Sequence, residues 1–157
     1  MGRVYTISFD GVSVTNAGGD ADLFELTPAD DKPIKILGWT LDVSSEVGDA
    51  AEEILRYKWI RGHATTGNGT AVTPRPVQSA DAAAGFSAEY NGATIASTGT
   101  AVDLHAGAFN VRAGERMFLP PECRFGASQA DTTLVLRLMS TVADDVTMSA
   151  TVYVEEL

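Results

Sequence analysis

A chain of 157 residues, 45% hydrophobic and 20% charged, suits one globular domain and excludes a disordered or fibrous polymer. A formal net charge of −10, from 11 basic and 21 acidic residues, argues against broad binding to nucleic acid or anionic membrane, since both repel an acidic surface. A single cysteine, Cys123, excludes an intrachain disulfide, and no apolar run approaches the ~20 residues that span a bilayer.

The opening MGRVYTISFDG lacks the basic-then-apolar order of a signal peptide. It fits a myristoylation pattern at Gly2 and Thr6 only by its commonest letters. Period-two patterning then dominates, the mark of strands with one buried face. In RVYTISF, Tyr5, Ile7 and Phe9 form the core set, opposite Val4, Thr6 and Ser8. Residues 1–14 have no hairpin partner in the sequence. They are expected as a first strand or as an arm that adds to a neighbouring subunit's sheet, with Arg3, Tyr5 and Ile7 as its contact residues. A second strand, DLFELT, ends where Pro28 and Pro33 frame an acidic turn. In IKILGWTLDV, strict alternation buries Leu37, Trp39, Leu41 and Val43, with Lys35 on the same side, and leaves Ile34, Ile36, Gly38, Thr40 and Asp42 opposite.

Asp49 with Glu52 resembles an acidic capping box, good for one helical turn. Leu55, Tyr57 and Trp59 then alternate with Arg56 and Lys58, so a strand runs from Ile54 to Arg61. Residues 62–99 are poor in large apolar groups and read as a loop-rich insertion, a length more often functional than accidental. Within it, SADAAAGF predicts a short helix capped by Ser79 and stopped by Gly85. Asn91–Gly92 predicts a hairpin between Tyr90 and Ile95. His63 and Tyr90, on this insertion, are its expected partner contacts. Strands resume with AVDLHAG and FNVRAGERMF, turning at Gly114. In TTLVLRLMSTV, Leu134, Leu136 and Leu138 oppose Val135, Arg137 and Met139. The last strand lines up Val146, Met148, Ala150, Val152 and Val154. Eight or more short strands without full helices predict an all-β, antiparallel β-sandwich of jelly-roll type in one domain, 1–157, with one or two short helices at most.

Chemistry-bearing residues are sparse. His63 and His105 lack the neighbouring ligands that zinc requires. Cys123 beside Arg124 is read as a partly buried thiol rather than a nucleophile. Asn16, Asp20 and Asp22 in NAGGDAD form the best calcium candidate, but the distal Glu is missing and a solvated turn is the preferred reading. The Gly-rich GNGT lacks the Lys-Ser/Thr of a phosphate loop. The paired acids read as charged turns that guard strand edges. Trp39, Tyr57 and Trp59 are expected in the core and Tyr90 on the surface. No cofactor and no enzymatic activity are expected.

The phrases FELTPADDKPIKILGWTL, SSEVGDAAEEILRYKWIRG, GFSAEYNGATIASTGTAVDLHAGAFNVRAGERMFLPPE and MSATVYVEEL resemble small virion proteins of tailed bacteriophages and prophages. The resemblance covers most of the chain and carries over no individual site residue. It implies a capsid decoration (cement) protein or a related head accessory protein, made in the bacterial host cytoplasm. It implies a homotrimer seated on the capsid surface, with the major capsid protein as partner. A sugar- or host-surface-binding module of a tail or spike is the alternative.

Overall fold

A computed structural model describes residues 2–14, 19–45, 53–139, 142 and 145–157. Among these, two antiparallel six-stranded sheets pack face to face. The first sheet joins β1 (Arg3–Val14), β3 (Ile34–Val43), β6 (Arg75–Pro76), β9 (Glu115–Phe118), β10 (Gly126–Ala127) and β12 (Val146–Glu156). Its order is β10-β3-β12-β1-β6, and β9 shares the outer edge of β3 with β10. The second sheet joins β2 (Ala21–Thr27), β4 (Ile54–His63), β5 (Thr70–Val72), β7 (Ser87–Gly92), β8 (Val102–Asn110) and β11 (Thr133–Leu138), in the order β5-β7-β2-β11-β4-β8. The first four strands alternate between the sheets, so the core fills from both sides as the chain wraps. The expected all-β sandwich is the observed fold. The only helical pieces described are 3₁₀ turns at Pro121–Cys123 and Gln129–Asp131.

Alternation explains most of the core. Val146, Met148, Ala150, Val152 and Val154 of β12 are all buried, as are Tyr5, Ile7 and Phe9 of β1. Trp39 and Trp59 meet edge to face at 5.6 Å across the sandwich.

Bulges break the alternation in several strands, and those of β1 and β3 move the core faces. In β1 an extra residue lies between Phe9 and Val12, where Gly11 has φ +61°. Parity changes there, and Val14 is buried where strict alternation from Phe9 would turn it out. In β3, Gly38 pairs with Tyr153 and Ile36 with Val154, so Leu37 is extra. This corrects the expected face of β3. Ile34 and Ile36 are buried before the bulge and Trp39 and Leu41 after it, while Lys35 is exposed. A one-residue slip exchanges the two faces of a strand, and here it spares the core a lysine.

The N-terminal segment is a strand, but it is not a free arm. β1 pairs with β12 along its whole length, from Arg3↔Glu156 to Val14↔Val146, and Tyr5 and Thr6 also pair with β6. The insertion is corrected twice. Ser79–Gly85 forms turns and irregular chain instead of a helix, because so short a stretch is too costly to nucleate. Ala82 O accepts the Tyr5 hydroxyl and Gly85 N–H bonds Glu156. Asn91 has φ +53°, yet no hairpin follows, since β7 pairs with β2 and β5 instead. The expected turn at Asp49–Glu52 lies outside the described residues.

Candidate interaction surface

The two outer faces of the sandwich differ. On the second sheet, Asp22, Glu25, Thr133, Val135 and Arg137 would face water if the sheet stood bare. All five are buried, because the insertion folds back over them. Three carboxylates fasten it by accepting backbone N–H groups. Asp22 Oδ2 accepts Ala96 N–H at 2.6 Å, Glu25 Oε2 accepts Gly67 N–H at 2.9 Å, and Glu156 Oε1 accepts Gly85 and Phe86 N–H at 2.7 and 3.2 Å. Arg137 compensates the Asp22 charge. Its Nε donates to Asp22 Oδ1 at 2.6 Å and its Nη2 to Ala96 O at 2.7 Å. Asp22 is therefore a buried anchor, which corrects its reading as part of a solvated turn. Asn16 lies outside the described residues.

Burial pushes the Glu25 carboxyl above its usual 4.5. The Gly67 N–H bond opposes that rise, the negative charges of Asp22 and Glu89 add to it, and Arg137 also opposes it.

The first sheet leaves its outer face open. Register aligns side chains in rows across four strands. One row is Ser8–Thr151–Thr40–Arg116, and the next is Thr6–Tyr153–Gly38–Phe118. The first row is short and mostly hydroxyl-bearing. In the second, Phe118 packs tilted against Tyr153 with ring centroids 5.3 Å apart, and Phe118 is 62% exposed. Gly38 makes that contact possible, since a Cβ there would sit 2.6 Å from Phe118 Cδ1. An aromatic pair held on a rigid sheet among small polar side chains has the make-up of an interface centre with its rim.

The predicted contact residues scatter. Arg3 is exposed at the start of β1. Tyr5 and Ile7 lie in the core, fully buried, so they offer no surface and are corrected as contacts. His63 is buried, with Nδ1 3.3 Å from Thr98 O. It fastens the base of the insertion and is likewise corrected. Tyr90 is half-buried, stacked on Phe9 at 5.3 Å. It lines a groove of about 450 Å3 with Thr6, Ser8, Phe9, Asp10 and Arg75, where β1 continues past β6 without a strand beside it. Sequence reasoning missed Phe118, whose signal is its position just before the double proline. It also missed the buried acids, whose only signal is an acidic residue inside an otherwise apolar strand.

The remaining chemistry is dispersed. Cys123 is exposed, which corrects its expected partial burial. The His105 ring packs against Trp39, Tyr57 and Phe125. Tyr57 Oη donates to Glu115 Oε1 at 3.2 Å. Burial first, then the Glu115 charge and hydrogen bond, hold the Tyr57 hydroxyl up at about 12 against a Trp39 contact that lowers it. Among the described residues, no three His, Cys, Asp or Glu side chains group to hold a metal ion. No helix there is long and apolar enough to cross a membrane. The chain matches no protein-family model, no curated protein and no solved structure.

Proposed function

We propose that this protein is a structural virion component, a decoration (cement) protein that binds the outside of a tailed-phage head and stabilises it through protein–protein contacts. The observation that carries the reading is the asymmetry of the two outer faces. The chain spends its long insertion and buried carboxylates covering the β2–β11 part of one sheet, and presents the other as a broad platform centred on Phe118 and Tyr153. Such a platform suits contact area rather than turnover. The resemblance to phage virion proteins supports the same reading and supplies the partner class.

In this reading the major capsid protein receives the open face, and copies of the chain associate as a homotrimer through closed symmetry. The acidic surface has no use for nucleic acid or membrane. The test is addition of purified protein to phage heads made without it. Saturable co-sedimentation and greater heat resistance of the heads support the proposal, and failure to associate overturns it. Equilibrium sedimentation of the free protein tests the trimer.

The groove at Tyr90 favours a second reading, a glycan-binding tail or spike module, because an aromatic ring sits there beside Asp10, Arg75 and three hydroxyl-bearing side chains. A glycan-array signal abolished by Tyr90→Ala supports it, and a blank array removes it.

A further inference from the structure

The acids that fasten the insertion are not equivalent. Asp22 has a full positive partner in Arg137, and Glu156 has Lys32 at 4.0 Å. Glu25 instead stands directly opposite Glu89 in the β2–β7 register. Directly opposed side chains on one sheet face have Cβ atoms ~5 Å apart, and like charges there destabilise the pairing. Glu25 is 5% exposed, and Glu89 Oε2 is buried with no hydrogen-bond partner.

The insertion crosses directly above this pair. A Cβ on Gly67 would lie 3.0 Å from Glu25 Oε2, and one on Gly69 would lie 2.9 Å from Glu89 Cβ. Two carboxylates, one orphaned acceptor and a glycine-rich strap are thus stacked at one point.

We propose that Glu25 and Glu89 form a proton-operated latch on the insertion. With one proton on the pair, the Glu25 hydroxyl donates to the orphaned Glu89 oxygen while Glu25 Oε2 keeps the Gly67 N–H. With both groups ionised, repulsion between them loosens residues 64–69 from the sheet. The charged and polar surroundings fix the direction. From β2 itself comes Asp22, and from β11 come Arg137 and the apolar Val135. From β4 comes His63 at the root of the strap. The covering stretches 64–69 and 93–97 contain no charged residue to neutralise the pair. The raised pKa of Glu25 has the same sense. For an acid held above its unfolded value, the favourable contribution is complete below about 4.5 and is lost as pH rises through the folded value. The latch is closed in acid and slack in alkali.

Amide exchange of the full chain, with rates corrected for intrinsic chemistry, tests this. Protection of the Gly67 and Asn68 amides should be several-fold higher at about pH 4 than at about pH 8, while core amides such as those of Trp39 and Val152 stay level. Glu25→Gln supplies a permanent donor to Glu89 and should hold the strap protected at both pH values. Glu89→Gln, on the less buried partner, should do the same and remains informative if Glu25→Gln folds poorly. These two variants also separate the pair from His63. Protection independent of pH in the natural protein overturns the latch, and so does a pH response that survives in the folded variants.

Discussion

Removing the Asp22 carboxylate should be among the most damaging single changes to this fold. Asp22 is 1% exposed and takes two hydrogen bonds from Arg137, at 2.6 and 3.2 Å, and one from Ala96 N–H. Asp22→Ala leaves the Arg137 guanidinium buried without its counter-charge and the Ala96 amide without an acceptor. Breaking a buried pair from one side costs about 3–5 kcal/mol. In a chain of this size, 1 kcal/mol moves Tm by roughly 2–4 °C, so Tm should fall by about 6–20 °C. The cost arises from an orphaned charge, not from lost attraction, so Asp22→Leu with Arg137→Met should recover at least half of it. The assay is urea unfolding of Asp22→Ala, of Asp22→Leu and Arg137→Met singly, and of the double variant, with m-values compared to confirm two-state behaviour. A cost below about 1 kcal/mol for Asp22→Ala would refute the reasoning. So would a double variant whose loss equals the sum of the single losses.

Glu156→Ala leaves the buried N–H of Phe86 and the part-buried N–H of Gly85 without an acceptor. It should cost about 1–3 kcal/mol in urea unfolding, while Glu156→Gln, which keeps an oxygen, should cost less than half of that. Tyr57 is held neutral up to about 12 against an ordinary 10.0, so the unfolded chain releases its proton first. The stability this confers is complete below pH 10 and is lost as pH rises through 12. Alkaline unfolding should therefore steepen above pH 10 by about 2–3 kcal/mol in total and be blunted in Tyr57→Phe. Phe118→Ser removes a ring that is 62% exposed. It should change unfolding free energy by less than about 0.5 kcal/mol, which makes it a clean variant for binding experiments.

The strands were legible because their apolar residues recur at spacing two, and β12 shows this most plainly. Its five inward residues and its closing position follow from alternation alone. β3 was misread because a bulge is set by pairing with β12, which local spacing does not record. The helix at Ser79–Gly85 failed for a related reason. Propensity favours it weakly, and Tyr5 and Glu156, both far away in the chain, claim its backbone groups. The buried acids were read as surface charge because an acid's partner lies at long range, 115 residues away for Asp22 and Arg137. The open face was half visible. The threonines and serines of β1 and β12 were placed outward by pattern, but the meeting of Phe118 with Tyr153 over Gly38 depends on β3 lying between β9 and β12.

The most direct test of the central claim is a binding isotherm of the purified protein on phage heads assembled without it, set beside that of Phe118→Ser. The account predicts saturable binding by the natural chain. For the variant it predicts an affinity at least about tenfold weaker, the scale of one interface-centre aromatic, with its fold intact. Equal binding by the two proteins would contradict the assignment of the open sheet face as the docking surface, and no binding by either would contradict the role itself.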